Sequence, residues 1–120
     1  MKKNRVQEKT VQNFLREFIN NLNNLSIMSR DQAHTKKERK KDPKAVCARH
    51  EFGNDVETCI VNTVRSLTYN DYIETRADKK YKQGDMYIFR KDVKGIPLYV
   101  KLQNTRTGVS LVKSFHEWRD

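Results

Sequence analysis

Glycine and proline are scarce in this chain of 120 residues, with four Gly and two Pro. That scarcity excludes a collagen-like repeat and any Pro/Gly-rich linker that would divide the chain. Cysteine is as rare, with only Cys47 and Cys59. Two are too few for a disulfide framework, so a reduced protein of the cytoplasm is expected. No apolar run approaches the roughly twenty residues that span a bilayer. Met1-Lys2-Lys3-Asn4-Arg5 has no apolar stretch behind it, which argues against a secretory leader and a membrane role. A phosphate-cradling glycine loop, a serine elbow and an acidic metal cluster are also missing. Cys47-Ala48-Arg49-His50 has Cys-x-x-His spacing, but a structural zinc wants four ligands and only His34 and Cys59 are near in sequence. Neither a metal nor another cofactor is expected.

What is abundant is charge. Charged residues make up 33% of the chain against 36% hydrophobic, enough apolar content for one core and one domain over 1–120. Lys and Arg number 25 against 15 Asp and Glu, for a net charge of +10. The excess is uneven. Residues 1–50 carry 13 basic and 5 acidic side chains, residues 51–78 carry 2 and 6, and residues 79–120 carry 10 and 4. A basic surface of this kind favours a polyanion, most simply a nucleic acid, through counterion release. A merely well-solvated small protein would show the same balance.

Periodicity divides the chain in two. Val11, Phe14, Leu15, Phe18, Leu22 and Leu25 recur at helical spacing, predicting a helix over 8–28 with its apolar stripe in the core. Residues 29–53 lose that period and read as a basic loop with a short helix over Lys44–His50. Lys36, Lys37, Arg39, Lys40 and Lys41 form a phosphate-contacting arm or a solvated loop. A second amphipathic helix is predicted over 54–67, from Val56, Cys59, Ile60, Thr63, Val64 and Leu67, with Asn54 as its N-cap. Thr68–Tyr72 reads as a turn and Thr75–Gln83 as a polar loop. Residues 84–117 change to strand character, with turns at Asp92–Gly95 and Asn104–Gly108. Helices first and strands after give an α+β fold, N-terminal helices on one face of a three- to four-stranded antiparallel sheet.

Alternation in Leu98-Tyr99-Val100-Lys101-Leu102-Gln103 puts Tyr99 and Lys101 on one face if the leucines and valine are core. Phe115 and His116 point to opposite faces, so a buried Phe115 sends His116 to join them. Val109, Leu111 and Val112 do not settle the parity of this strand, which leaves room for a bulge. A phenol, an amine and an imidazole suit RNA cleavage without a metal. The ribose 2′-hydroxyl attacks phosphorus, His116 moves protons with an intrinsic pKa near 6.5, Lys101 stabilises the added charge, and Tyr99 positions the phosphate or a base. Arg90 and Lys91, with Tyr87 and Lys113, are the candidate RNA contacts.

Several stretches carry a resemblance: Ser66-Leu67-Thr68-Tyr69-Asn70-Asp71-Tyr72, Gly84-Asp85-Met86-Tyr87-Ile88-Phe89, Val93-Lys94-Gly95, Leu98-Tyr99-Val100-Lys101-Leu102 and Ser114-Phe115-His116-Glu117. Together with Val11–Phe18 they look like the MqsR-like toxins of bacterial type II toxin–antitoxin systems, in the RelE/ParE-type superfamily. The resemblance implies a RelE-like fold and an mRNA interferase, a metal-independent endoribonuclease acting on mRNA, ribosome-bound or not, and inhibited by a cognate antitoxin protein. In the prototype the tyrosine matching Tyr99 belongs to the active site, and the position of His116 is a lysine. Two further polar active-site residues of the prototype fall near Ile73 and Gly84, which cannot replace them; Glu74, Gln83 and Arg90 are the polar neighbours. The alternative is a non-catalytic module binding RNA, the ribosome or a partner protein on the same scaffold.

Overall fold

The computed structural model describes residues 5–27 and 55–118. The basic segment 36–44, the helix expected over Lys44–His50 and the Cys47-x-x-His50 spacing lie outside these residues. Helix α1 spans Arg5–Asn20 and buries Val11, Phe14, Leu15 and Phe18, the stripe the period predicts. It ends earlier than expected. A 3₁₀ turn at Leu22–Asn24 leads into a short strand, β1, Leu25–Ile27. Leu22 and Leu25 still pack on the core, which is why their spacing mimics a longer helix.

Helix α2 spans Val56–Arg65. Its N-cap is Asp55, one residue beyond the expected Asn54; the Asp55 carboxylate accepts from the Glu57 amide at 3.1 Å and the Thr58 hydroxyl at 2.7 Å. Cys59, Ile60, Val64 and Leu67 are buried. Cys59 is disulfide-bonded, which corrects the expectation of a reduced thiol. That expectation rested on the number of cysteines alone, and its partner lies outside the described residues. Among the described residues no helix is long and apolar enough to cross a membrane.

A capping box follows α2. The Thr68 amide donates to Asp71 at 2.9 Å and the Asn70 amide to the Thr68 hydroxyl at 3.2 Å, closing a 3₁₀ turn at Tyr69–Asp71. The chain then enters β2, Tyr72–Arg76, where a polar loop was the expectation from Thr75 onward. Strands β3 (Met86–Val93), β4 (Ile96–Asn104) and β5 (Ser110–Glu117) form the predicted meander. Val93 pairs with Ile96, leaving Lys94-Gly95 as a two-residue hairpin loop with φ of +52° and +83°.

The fold is α+β, but the sheet has five described strands in the order β1-β5-β4-β3-β2, with β1 parallel to β5 and the other pairs antiparallel. This corrects the expectation of three or four antiparallel strands. β1 is three residues long and hides in a helical period, while in β2 a bulge at Ile73 breaks the alternation that marks a strand.

Both helices contribute to one core with Phe89, Leu98, Val100, Leu102, Val112 and Phe115, so they cover the same face of the sheet. Each fully buried Phe contributes about 1.5–3 kcal/mol of apolar burial. Polar ties fasten α1 to the strand ends. The Ser110 hydroxyl donates to the Phe18 carbonyl at 2.7 Å, and Asn104 Nδ2 donates to the Phe14 carbonyl at 3.1 Å.

Candidate active site

The site lies on the second face of the sheet, opposite the helices. Its parity is set in β5. Val112 and Phe115 are both buried although they stand three positions apart, an odd spacing that plain alternation sends to opposite faces. A bulge at Lys113 makes this possible: Val112 pairs with Leu102, Ser114 with Lys101, and Lys113 has no strand partner. Phe115 therefore faces the core, opposite Val100, and His116 is directed to the second face, opposite Tyr99.

The imidazole of His116 stacks on the Tyr99 ring, centroids 4.9 Å apart and planes 11° from parallel. Trp118 leans on the other part of the cluster, its ring centroid 5.6 Å from that of Tyr99. Arg90, the cross-strand partner of Tyr99 on β3, lies 5.5 Å from the Trp118 ring centroid. The row therefore runs Arg90–Tyr99–His116 across three strands, with Trp118 beside it. In the next row Lys101 sits between Ile88 on β3 and Ser114 on β5, and Glu74 on β2 pairs with Ile88. Glu74 also forms an ion pair with Arg76.

Three electrostatic details bear on the chemistry. His116 Nδ1 is 2.8 Å from the Glu117 carbonyl. A carbonyl only accepts, so Nδ1 carries a proton and Nε2 is the nitrogen that exchanges one. The Tyr99 phenol is raised above its ordinary pKa, chiefly by burial, with Arg76 opposing and Glu74 adding to the effect. It is thus a hydrogen-bond donor at neutral pH. Arg90 and Lys101 supply positive charge on the same face.

Not every predicted residue belongs to this face. Lys91 alternates with Arg90 and points to the helix side, where its ammonium donates to the Ser66 carbonyl at 3.2 Å and lies 3.5 Å from Asp71. It caps the end of α2, on the face opposite Tyr99 and His116. Tyr87 also faces the helices, stacked on Phe14 with ring centroids 3.9 Å apart, and burial raises its pKa. Lys113, on the bulge, reaches the loop that joins β2 to β3, its Nζ 5.1 Å from the Tyr81 ring centroid.

Ile73 is the bulged residue of β2, 46% exposed. Gly84 has φ of +122° and packs so closely that a Cβ would come within 3.0 Å of the Asn104 carbonyl. Of their polar neighbours, Glu74 and Arg90 share the second face with Tyr99. Sequence reasoning missed Trp118, which lies past the last strand; the one available signal was an aromatic residue two positions beyond His116, on the same parity. Compared with protein-family models, curated proteins and solved structures, the chain matches none.

Proposed function

We propose that the protein is a metal-independent endoribonuclease of the toxin type, cutting RNA on the second face of its sheet. The observation that carries this reading is the stacked Tyr99–His116 pair flanked by Arg90 and Lys101. Proton transfer, phosphate positioning and charge stabilisation need these groups on one surface. The ribose 2′-oxygen forms a bond to phosphorus as His116 Nε2 takes its proton. The bond from phosphorus to the 5′-oxygen breaks, and the proton passes from Nε2 to that departing oxygen. A 2′,3′-cyclic phosphate and a 5′-hydroxyl result. Tyr99 donates to a phosphate oxygen, and Lys101 and Arg90 balance the charge that builds there.

Packing of α1 and α2 on the same face and the β3–β5 meander support a RelE-like fold of MqsR type. On this reading the substrate is cytoplasmic mRNA and the natural inhibitor is an antitoxin protein. The exposed Ile73 and the tightly packed Gly84 favour the second reading, a module that binds RNA, the ribosome or a partner protein without cutting.

The two are separated by incubating wild type and His116→Ala with RNA in EDTA. Cleavage with cyclic-phosphate ends, reduced about 10²- to 10⁴-fold in the variant, is expected. Cleavage indifferent to His116→Ala, or lost in EDTA, overturns the mechanism. Salt-sensitive binding without turnover selects the binding module.

A further inference from the structure

The loop between β2 and β3 reads in sequence as a plain polar connection, yet it carries Lys79, Lys80, Tyr81 and Lys82 in succession. Tyr81 is 54% exposed, the one exposed aromatic side chain among the described residues. The ammonium groups of Lys80 and Lys113 each lie 5.1 Å from its ring centroid. We propose that Tyr81, flanked by Lys80 and Lys113, is a second stacking position for single-stranded RNA, holding an unpaired base while the lysines contact its phosphates. This inference rests on the RNA reading above and extends it to the path of the strand.

The loop is built to hold that ring in place. The Asp78 carboxylate accepts from the Tyr81 amide at 3.0 Å, the Gln83 amide at 3.3 Å and Gln103 Nε2 at 2.9 Å. Gln103 is fully buried on the second face of β4 and also donates to the Gly84 carbonyl at 2.7 Å. Lys82 takes φ of +53°, a conformation that costs energy in a residue with a side chain, and its amide is held by the Asp78 carbonyl at 3.0 Å. These bonds place the aromatic and basic loop at the end of the face that carries the site. Gln103 is four residues from Tyr99 along β4, about 13 Å at ~3.3 Å per residue. Lys113 is three residues from His116 on β5. A single strand following β4 therefore meets both aromatic positions within a few nucleotides.

The relative strengths favour a base over the resting cation contacts. An exposed cation–π contact is worth about 0.5–1 kcal/mol and base–aromatic stacking about 1–3 kcal/mol. A base can therefore displace one lysine from the ring, and that lysine gains a phosphate.

The test uses the full chain and a short fluorescein-labelled oligoribonucleotide of mixed sequence, 2′-O-methylated so that it cannot be cut, with binding read by anisotropy. Tyr81→Ala should weaken binding about tenfold and Tyr81→Phe should retain it. Lys80→Ala with Lys113→Ala should lower the slope of log affinity against log salt by about 0.7 per lysine, while Lys9→Ala, on the outer surface of α1, should leave it unchanged. The same oligonucleotide in a duplex should bind more weakly. Equal binding by wild type and Tyr81→Ala overturns the proposal, as does equal binding of single strand and duplex. Sensitivity to the lysines alone also overturns it, marking a general anionic surface such as an acidic protein would use. A wild type that binds in a Tyr81-dependent manner but never cleaves retires the nuclease and keeps this site. Cleavage lost in His116→Ala with binding indifferent to Tyr81 does the reverse.

Discussion

Asp78 shows how one buried polar contact organises the loop between β2 and β3. Its carboxyl is lowered from 3.8 to about 2, first by the hydrogen bond from Gln103, then by the Tyr81 amide. A carboxyl held low in the fold stabilises it above the unfolded pKa, and that contribution disappears as pH falls from about 4 to about 2. In Asp78→Asn this titration is absent. Melting temperature should therefore fall less steeply over that pH window in the variant than in wild type; parallel curves would exclude the assignment. None of this is legible in sequence, because Asp78 and Gln103 are far apart in the chain and each reads as an ordinary polar residue. Tyr99 and His116 are different. Their placement follows from short-range alternation beside Leu98, Val100 and Phe115, all of which are buried.

Among the elements, β5 carries the most consequence. The Lys113 bulge lets Val112 and Phe115 share the core and so sends His116 to the second face, beside Tyr99. Deleting Lys113 should force either Phe115 out of the core or Val112 out of register. A loss of about 3–5 kcal/mol, as for truncating a buried Phe, is expected by denaturant titration. Lys113→Ala keeps the backbone count and should change stability by less than about 1 kcal/mol. Two glycines make a second comparison. Gly95 has φ of +83° and open space around its Cβ position, so Gly95→Ala costs about 1 kcal/mol of backbone strain. Gly84→Ala adds a 3.0 Å approach to the Asn104 carbonyl and should cost more. Equal losses would show that crowding at Gly84 is relieved. Helices α1 and α2 and strands β3, β4 and β5 were readable because each pairs a clear period with a turn or cap. β1 and β2 were not, being short or bulged. The placement of Tyr87 and Lys91 on the helix side was hidden for the same kind of reason. On β3 both faces carry apolar residues, Met86 and Ile88 on one and Tyr87 and Phe89 on the other. Pattern alone cannot choose the parity.

For the whole molecule, the net charge of +10 is the bulk property that matters to a polyanion. The second face and its adjoining loop contribute Arg90, Lys101, Lys80 and Lys113, while Asp55 and Glu57 open α2 in the layer across the sheet. Affinity for single-stranded RNA should fall with salt along a log–log slope of about −3, the release expected for roughly four neutralised phosphates. A slope near zero, measured by anisotropy across a salt series, would exclude an electrostatic RNA surface.

The parallel pairing of Leu25–Ile27 with Ser110–Val112 joins segments from opposite thirds of the chain. During synthesis, a nascent chain that has emerged only through β4 lacks the strand that seats β1, and it lacks the imidazole as well. Completion of the described sheet and arrival of His116 beside Tyr99 thus coincide. Such distant pairing slows folding, because the loop-closure entropy is met before the contacts repay it. A chain still being made therefore seats β1 in the sheet only after β5 has left the ribosome.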